Sequence, residues 1–340
     1  MSGGVDSSVS AALLKQAGHT VIGVFIKIWQ PEFIECTWRE DRLDAMRVAA
    51  HLQIPFREID LSTEYKHDVI DSMVTSYKQG ITPNPDVLCN EHVKFGVFYR
   101  WARAQRADIV ATGHYARIQE IGEKHILLRG VDTNKDQSYF VHRMQATDIP
   151  HIQFPVGGLE KSKVRTLAKK FALPVATKPD SQGLCFVGDV SMRDFLRRYI
   201  TVEEGNVVDK KGHVIGTHEG AILYTVGQRH GLTIHTGSTT APHYVIETDT
   251  AHNIVTVSEN KEDAARIRIV FSDVLWINDA PMTSQVYDIQ TRYRETPLKA
   301  HIVREDDHYV ATCDIPHIVA PGQSLVVYNG NVCLGGGIIS

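Results

Sequence analysis

The sequence predicts an α/β fold: a parallel sheet with crossover helices over residues 1–200, then two small β-rich domains, a central one over 201–264 and a β-barrel over 265–340. Three observations predict it. As far as about residue 200, apolar runs alternate with stretches of helical spacing, the order that sets parallel strands side by side with helices crossing between them. From residue 201 short strands and glycine turns replace the helices. At 340 residues the chain is long enough for two or three domains with cores of their own.

The chain opens on S-G-G-V-D-S-S, residues 2–8. Two adjacent glycines permit a tight turn and a close approach to a ligand. Asp6, Ser7 and Ser8 are residue types that cap helices, and Val9, Ala11, Ala12, Leu13 and Leu14 read as a helix ended by Gly18. A glycine loop opening a helix offers free N–H groups and a positive dipole end to a phosphate. It is not a Walker A loop, since no G-x-x-x-x-G-K-[ST] occurs. Residues 20–29 form a largely apolar run, as a strand buried on both faces would. Residues 39–51 read as a helix, 56–61 as a strand, 64–77 as a helix and 108–112 as a strand. The carboxyl ends of such strands are where ligands bind, which puts the glycine loop and Gly113-His114 on one edge.

T-P-N-P-D-V-L-C-N spans residues 82–90. Pro83 and Pro85 hold the residues before them extended, and Asp86 can cap a helix over 87–104 with Cys89 in its first turn. A thiolate there is stabilised by the helix N-terminus, although a capped helix with a buried cysteine reads the same way. Residues 116–129 read as a hairpin turning at Gly122-Glu123, followed by N-K-D-Q-S-Y-F, residues 134–140. Helical segments at 161–171 and 191–199 carry Lys161, Lys163, Arg165, Lys169, Lys170, Arg193, Arg197 and Arg198, a candidate phosphate-backbone patch or a solvated face. Between them Gly183 and Gly188 bracket a short apolar strand with Cys185 at its centre. The β-rich remainder carries Y-T-V-G-Q-R (224–229), T-R-Y-R (291–294), P-G-Q-S (321–324) and C-L-G-G-G-I-I (333–339). An Arg-Tyr-Arg strand offers guanidinium groups to phosphate and a ring to a base.

Composition narrows the classes. The chain has 43% hydrophobic and 22% charged residues, the proportions of a globular protein. No apolar run approaches the roughly 18 residues of a membrane span, and no signal peptide is visible, so a cytoplasmic protein is expected. A net charge of −4 argues against a generally basic nucleic-acid binder but allows a local patch. The five cysteines, Cys36, Cys89, Cys185, Cys313 and Cys333, contain no C-x-x-C, and no metal-ligand set can be read. Cys36, Cys313 and Cys333 are expected in cores.

Taken in order, these strings resemble the tRNA-specific 2-thiouridylase family from end to end, and S-G-G-V-D-S-S resembles the PP-loop of ATP pyrophosphatases. The two-cysteine set is the more specific part, because the loop alone is shared with argininosuccinate, GMP and NAD synthetases. The resemblance implies an N-terminal PP-loop (adenine nucleotide alpha hydrolase-like) domain. It implies ATP-dependent replacement of O2 by sulfur in the wobble uridine of certain tRNAs. By that resemblance Met1, Ser2, Gly3, Gly4, Val5, Asp6, Ser7, Ile26 and Gly113 face ATP, expected with Mg2+; Ile26 stands where a methionine is expected. Cys185 would carry a persulfide and Cys89 would be the second catalytic cysteine, releasing sulfide or closing a transient Cys89–Cys185 disulfide. Asp86 would be the general acid/base. Asn84, Pro85 and Asp86 would face the target base, and His114, Lys135, Asp136, Gln137, Arg292, Tyr293 and Gln323 match tRNA-contacting positions. His92 matches none and is read as structural. The implied partners are tRNA and a sulfur donor, a cysteine desulfurase or a relay protein. In the family a buried strand runs into the loop, so that strand is expected upstream of Met1 or is lacking. Two other readings stay open: another PP-loop adenylating enzyme, which would need neither cysteine, and a tRNA-binding protein without catalysis.

Overall fold

The computed structural model describes residues 1–33, 38–180, 191–235 and 241–340. Its N-terminal part runs α1 (Val5–Gln16), β1 (Gly23–Lys27), α2 (Trp38–His51), β2 (Phe56–Asp60), α3 (residues 62–78) and α4 (residues 85–104). It continues with β3 (Val110–Ala111), β4 (Ala116–Ile121), β5 (Lys124–Arg129), β6 (Ile152–Gln153), α5 (Lys161–Lys170) and α6 (Met192–Leu196). β1 pairs with β2 in parallel, Gly23 opposite Phe56 and Lys27 opposite Asp60. β3 pairs in parallel with β6, which sequence periodicity did not reveal because only two residues form it. Helices α1, α2 and α5 pack Val5, Val9, Val48, Ala49, Val164 and Ala168 into one core.

The central part holds β7 (Gly205–Val208), β8 (Val214–His218), β9 (Leu232–Ile234), β10 (Tyr244–Asp249) and β11 (Ile254–Ser258). They form a five-stranded sheet in the order β10-β11-β7-β8-β9, with β11 and β7 parallel. The last part holds β12 (Ala265–Trp276), β13 (Val286–Gln290), β14 (Leu298–Glu305), β15 (His308–Ile318), β16 (Ser324–Asn329) and β17 (Val332–Ile339). The order β12-β15-β14-β13-β16-β17 closes on itself through β12–β17 pairing, a six-stranded antiparallel barrel. Its interior is Ile269, Phe271, Tyr287, Ile289, Ile302, Leu325 and Val327. Gly335 (φ +116°) and Gly336 lie in β17, where an added Cβ would strike backbone of β12 or β16, so the glycine run permits closure.

Two elements join the parts. The β4–β5 hairpin sits in the first part of the sequence, yet β5 pairs with β17, Leu128 opposite Val332 and Leu127 opposite Cys333. The barrel sheet is thereby extended to eight strands. Helix α4 is buried on both sides. Cys89 and Val93 join a core with Tyr65, Met73, Phe195, Val207 and Val255, while Phe95 and Tyr99 join another with Leu127, Ile149, Val326 and Tyr328. Residues Cys89–Phe98 of α4 are wound as a π-helix, as are Lys66–Asp71 of α3.

Leu127 is fully buried at the hairpin–barrel junction. Leu127→Ala is expected to cost about 2–5 kcal/mol in urea denaturation.

Candidate active site

Helix α1 has Gly4 as its N-cap, with no side-chain cap. Asp6, Ser7 and Ser8, expected as caps, lie inside the helix instead. The Ser8 hydroxyl donates back to the Gly4 carbonyl at 2.7 Å and Ser10 to the Asp6 carbonyl at 2.8 Å. The reason is the turn: Gly3 sits at φ +73° against the Asp41 carbonyl, and the helix starts directly behind it. A glycine cap leaves first-turn amides available to an anion. The Ser2 and Ser7 hydroxyls meet at 3.2 Å, and the Met1 amine donates to the Val24 carbonyl. Gly113 closes on the loop, since a Cβ there would stand 2.7 Å from Ser7 N and 2.8 Å from the Asp6 carbonyl carbon. Ile26 lies in β1 opposite Ile59.

Asp6 is held from two sides. Lys161 Nζ reaches its carboxylate at 2.7 and 2.9 Å, and Tyr115 donates its hydroxyl at 2.8 Å. Lys161 also meets Asp180 at 2.8 Å, Lys135 meets Asp180 at 2.8 Å, and Arg165 pairs with Asp180 as well. Burial alone would raise the Asp180 carboxyl, but hydrogen bonds and charge from Lys135 and Lys161 outweigh it and hold the group well below the ordinary range. Lys135, Lys161 and Arg165 thus meet Asp6 and Asp180 beside the glycine loop, where the Asp132 carboxylate also accepts from Lys161 N at 3.0 Å.

Residues 134–143 form the second part of the site. Asp136 accepts from Arg129 at 3.0 Å, Gly130 N at 2.9 Å, Ser138 N at 3.1 Å and Ser138 Oγ at 3.0 Å. Arg129 also donates to Gln290 at 2.8 Å and lies 3.5 Å over the Tyr328 ring, both in the barrel. Gln137 and Tyr115 exchange bonds, Tyr115 N to Gln137 Oε1 at 3.0 Å and Gln137 N to Tyr115 O at 2.8 Å. Tyr139 donates to the Ser324 carbonyl at 3.1 Å. His142 is fully buried, with Nδ1 2.7 Å from the Tyr139 carbonyl, and burial pushes it down to about 3. His114 packs against Phe95 and Phe154, each 5.8 Å away, and burial with Lys94 nearby lowers it well below the ordinary histidine range.

The third part is the start of α4. Asn84, not Asp86, is the N-cap, its Oδ1 accepting from Asp86 N at 3.1 Å and Val87 N at 3.3 Å with Pro85 at the first helical position. Pro85 lacks an N–H and suits that position, which moves the cap one residue earlier in the chain than Pro85. Cys89, 4% exposed, follows the first turn rather than lying in it, so it gains less from the helix dipole than the sequence suggested. Asn90 Nδ2 donates to the Phe140 carbonyl at 3.0 Å, and Arg143 binds Glu91 at 2.6 Å and Asp273 at 3.0 Å. From the barrel, the Tyr293 ring lies 4.4 Å from that of Phe140, Arg292 is exposed, and Gln323 Nε2 donates to the Thr82 carbonyl at 2.7 Å.

The cations of the two basic helices are partly paired. Lys161 and Arg165 are engaged with Asp6 and Asp180, and Arg193 and Arg197 with Glu219 at 2.8 and 2.6 Å. Arg198 lies over the Phe33 ring at 5.3 Å, while Lys163, Lys169 and Lys170 remain exposed. Carboxylates distant in sequence reach these cations, which charge counting along one helix does not show. Cys313 and Cys333 are buried as expected, and burial pushes their thiols up to about 11 and about 12. Cys36 and Cys185, and hence the Cys89–Cys185 pairing, lie outside the described residues. Sequence reading gave no role to Tyr115, Asp180 or Arg129; Tyr115 ends the string A-T-G-H-Y (111–115) and Asp180 opens D-S-Q-G-L-C-F-V-G (180–188), which was the available signal.

Residues 1–189 match the family described as tRNA methyl transferase HUP domain, 193–259 the tRNA methyl transferase PRC-barrel domain and 266–339 the aminomethyltransferase beta-barrel domain. A tRNA-specific 2-thiouridylase from Nitrosomonas eutropha is 43% identical, covering 100% of this chain and 97% of its own. One from Listeria monocytogenes is 41% identical over 100% and 93%. The chain belongs to the tRNA-specific 2-thiouridylase family. An NMN synthetase structure from Francisella tularensis aligns at TM-score 0.33 and 18% identity over 53% of this chain and 63% of that one, too loose to carry an argument. Among the described residues of this 2-thiouridylase-family chain, no helix is long and apolar enough to cross a membrane and no cluster of three or more His, Cys, Asp or Glu could hold a metal.

Asp136→Ala would leave the partly buried Arg129 without its carboxylate partner and remove an acceptor of the buried Ser138 hydroxyl, with an expected loss of about 3 kcal/mol in urea denaturation. The folded-state depression of His142 means the unfolded chain binds the extra proton first. Its contribution is whole above about pH 6.5, the unfolded value, and is lost as pH falls toward about 3. His142→Gln is expected to flatten the stability slope between about pH 6 and 4 by up to about 1.4 kcal/mol per pH unit.

Proposed function

We propose that this protein replaces O2 of a tRNA uridine by sulfur in an ATP-dependent reaction. Membership of the 2-thiouridylase family over the whole chain supports the reaction class. One observation carries the site: a continuous path of hydrogen bonds runs from the glycine loop to the residue beside Cys89. Asp6 accepts from Tyr115, Tyr115 exchanges bonds with Gln137, Phe140 N donates to Gln137 O, and Asn90 donates to Phe140 O. The loop and the thiol are thereby parts of one rigid assembly.

The uncapped amides of α1 and the Lys161 ammonium beside them suit the phosphates of ATP. ATP supplies adenylation, which turns the poorly departing uracil oxygen into a good leaving group. Lys161, read in the sequence with the tRNA-facing patch, would face those phosphates instead. Met1 to Ser7 and Gly113 would shape the nucleotide pocket, with Ile26 at its edge. A persulfide on Cys185 would bring the sulfur. Attack by the Cys89 thiolate on it releases hydrosulfide and leaves a Cys89–Cys185 disulfide, which an external dithiol reduces. Hydrosulfide then displaces AMP at uracil C2. Asp86, at the second position of α4, would take and return the proton. Exposed Arg292, with Tyr293, Lys135, His114 and the Asn84–Pro85 turn, would meet the tRNA. Asp136, Gln137 and Gln323 hold these elements through the internal bonds described above. A cysteine desulfurase or a relay protein would supply the sulfur.

The test is 2-thiouridine in tRNA, measured by nucleoside mass spectrometry with ATP-Mg, a cysteine desulfurase and cysteine. Product is expected, and Cys89→Ser and Cys185→Ser should abolish it. Asp86→Asn should slow it about 100-fold or more, and Lys161→Ala should raise the KM for ATP about tenfold. Retained product with serine at both cysteines would point to a small-molecule adenylating enzyme. Bound tRNA without product from the unaltered chain would leave only a tRNA-binding role.

A further inference from the structure

The motif Y-T-V-G-Q-R took no part in the site above, and of Thr82 only the carbonyl did, yet the fold brings them together. Thr82 is held from both β-rich parts of the molecule. Its N–H donates to the Pro321 carbonyl at 2.9 Å, and its carbonyl accepts from Gln323 Nε2 at 2.7 Å. Its hydroxyl lies 2.9 Å from the Thr225 hydroxyl of the central part. Gly322, at φ +89°, lies so close that an added Cβ would stand 2.9 Å from the Thr82 carbonyl. The G-Q-R turn in its place fixes Thr225: Thr225 N donates to Gln228 Oε1 at 3.3 Å, Gln228 N to Thr225 O at 3.0 Å, and Gln228 Nε2 to His230 O at 2.8 Å.

The strap that carries Thr82 has little slack. Gly80 (φ +75°) and the Ile81 N–H bond to Ser76 O at 3.0 Å end α3. Pro83 has a fixed φ, and Pro85 restricts Asn84 to the extended conformation it shows, φ −105° and ψ 102°. Asn84 then caps α4, followed by Asp86 and Cys89. A shift at Thr82 therefore passes to the start of α4 without a flexible joint between.

We propose that Thr225, through its hydroxyl contact with Thr82, is a positioning residue that sets the placement of Asp86 and Cys89 for the thiolation reaction. The same clamp makes Gln323 a holder of the strap. The proposal rests on the reading of Asp86 and Cys89 given above.

The test compares Thr225→Val, Thr82→Val, the double variant and Thr225→Ser in the full-length protein. The readouts are single-turnover formation of 2-thiouridine at saturating tRNA and ATP, and the Kd for tRNA by filter binding. Thr225→Val is expected to slow the step about fivefold, the worth of one neutral hydrogen bond, with Kd unchanged within about twofold. The double variant should match the single ones, since both remove the same contact. Thr225→Ser, which keeps the hydroxyl, should restore the rate and guards against a folding defect in the valine chain. An unchanged rate in Thr225→Val, additive losses in the double variant, a serine chain as slow as the valine chain, or lost tRNA affinity at full rate would each overturn the clamp. Cys89→Ser run alongside separates the two failures. A full rate there overturns the reading of Cys89, whereas a dead Cys89→Ser chain beside a full-rate Thr225→Val chain overturns the clamp alone.

Discussion

Helix α4 is the member on which the other parts bear. It is buried on both sides, with Cys89 and Val93 in the core shared with the central sheet and Phe95 and Tyr99 in the core shared with the barrel. A surface helix needs only one apolar stripe, and the opposite side stays free to move. Here both sides are committed, so α4 cannot shift without opening one core or the other. Its start is then fixed by the Asn84 cap and by the contacts at Thr82. Catalytic groups benefit from this kind of support, because small displacements cost rate.

Charge is used economically. The cations that look most available in the sequence are bound to carboxylates, and those carboxylates lie where separate segments meet. Asp6 draws α5 to the start of α1, Asp180 gathers Lys135, Lys161 and Arg165, and Asp136 ties Arg129 to the turn that leads to Tyr139. Partly buried pairs of this kind contribute little net energy compared with apolar packing, but they specify which segments adjoin. Arg292, Lys163, Lys169 and Lys170 are among the exposed cations of the described residues.

Much of this was legible beforehand. Helices α1 to α5 and the β4–β5 hairpin fall where hydrophobic periodicity puts them, because their buried faces repeat at the helical or strand interval. Caps were less legible. Asp6 and Asp86 have good capping side chains, but Gly4 and Asn84 take the position. The two-glycine turn places one start and Pro85 at the first helical position places the other. The pairing of the basic helices was illegible for a different reason: an ion pair such as Lys161 with Asp6 spans 155 residues, and no local pattern encodes it.

The sequence by itself determined the alternation of helices and strands in the first half, the β-rich second half and the family, since each rests on local spacing or on strings of adjacent residues. The tertiary structure decided which of those strings touch. It placed the hairpin of the first half on β17, it turned Asp136 and Gln323 inward as structural bonds, and it joined Thr82, Thr225 and Gln323 at one strap. The physical reason is that contacts between distant segments arise only when cores close, and backbone carbonyls and buried carboxylates then take whichever donors the closure brings within reach.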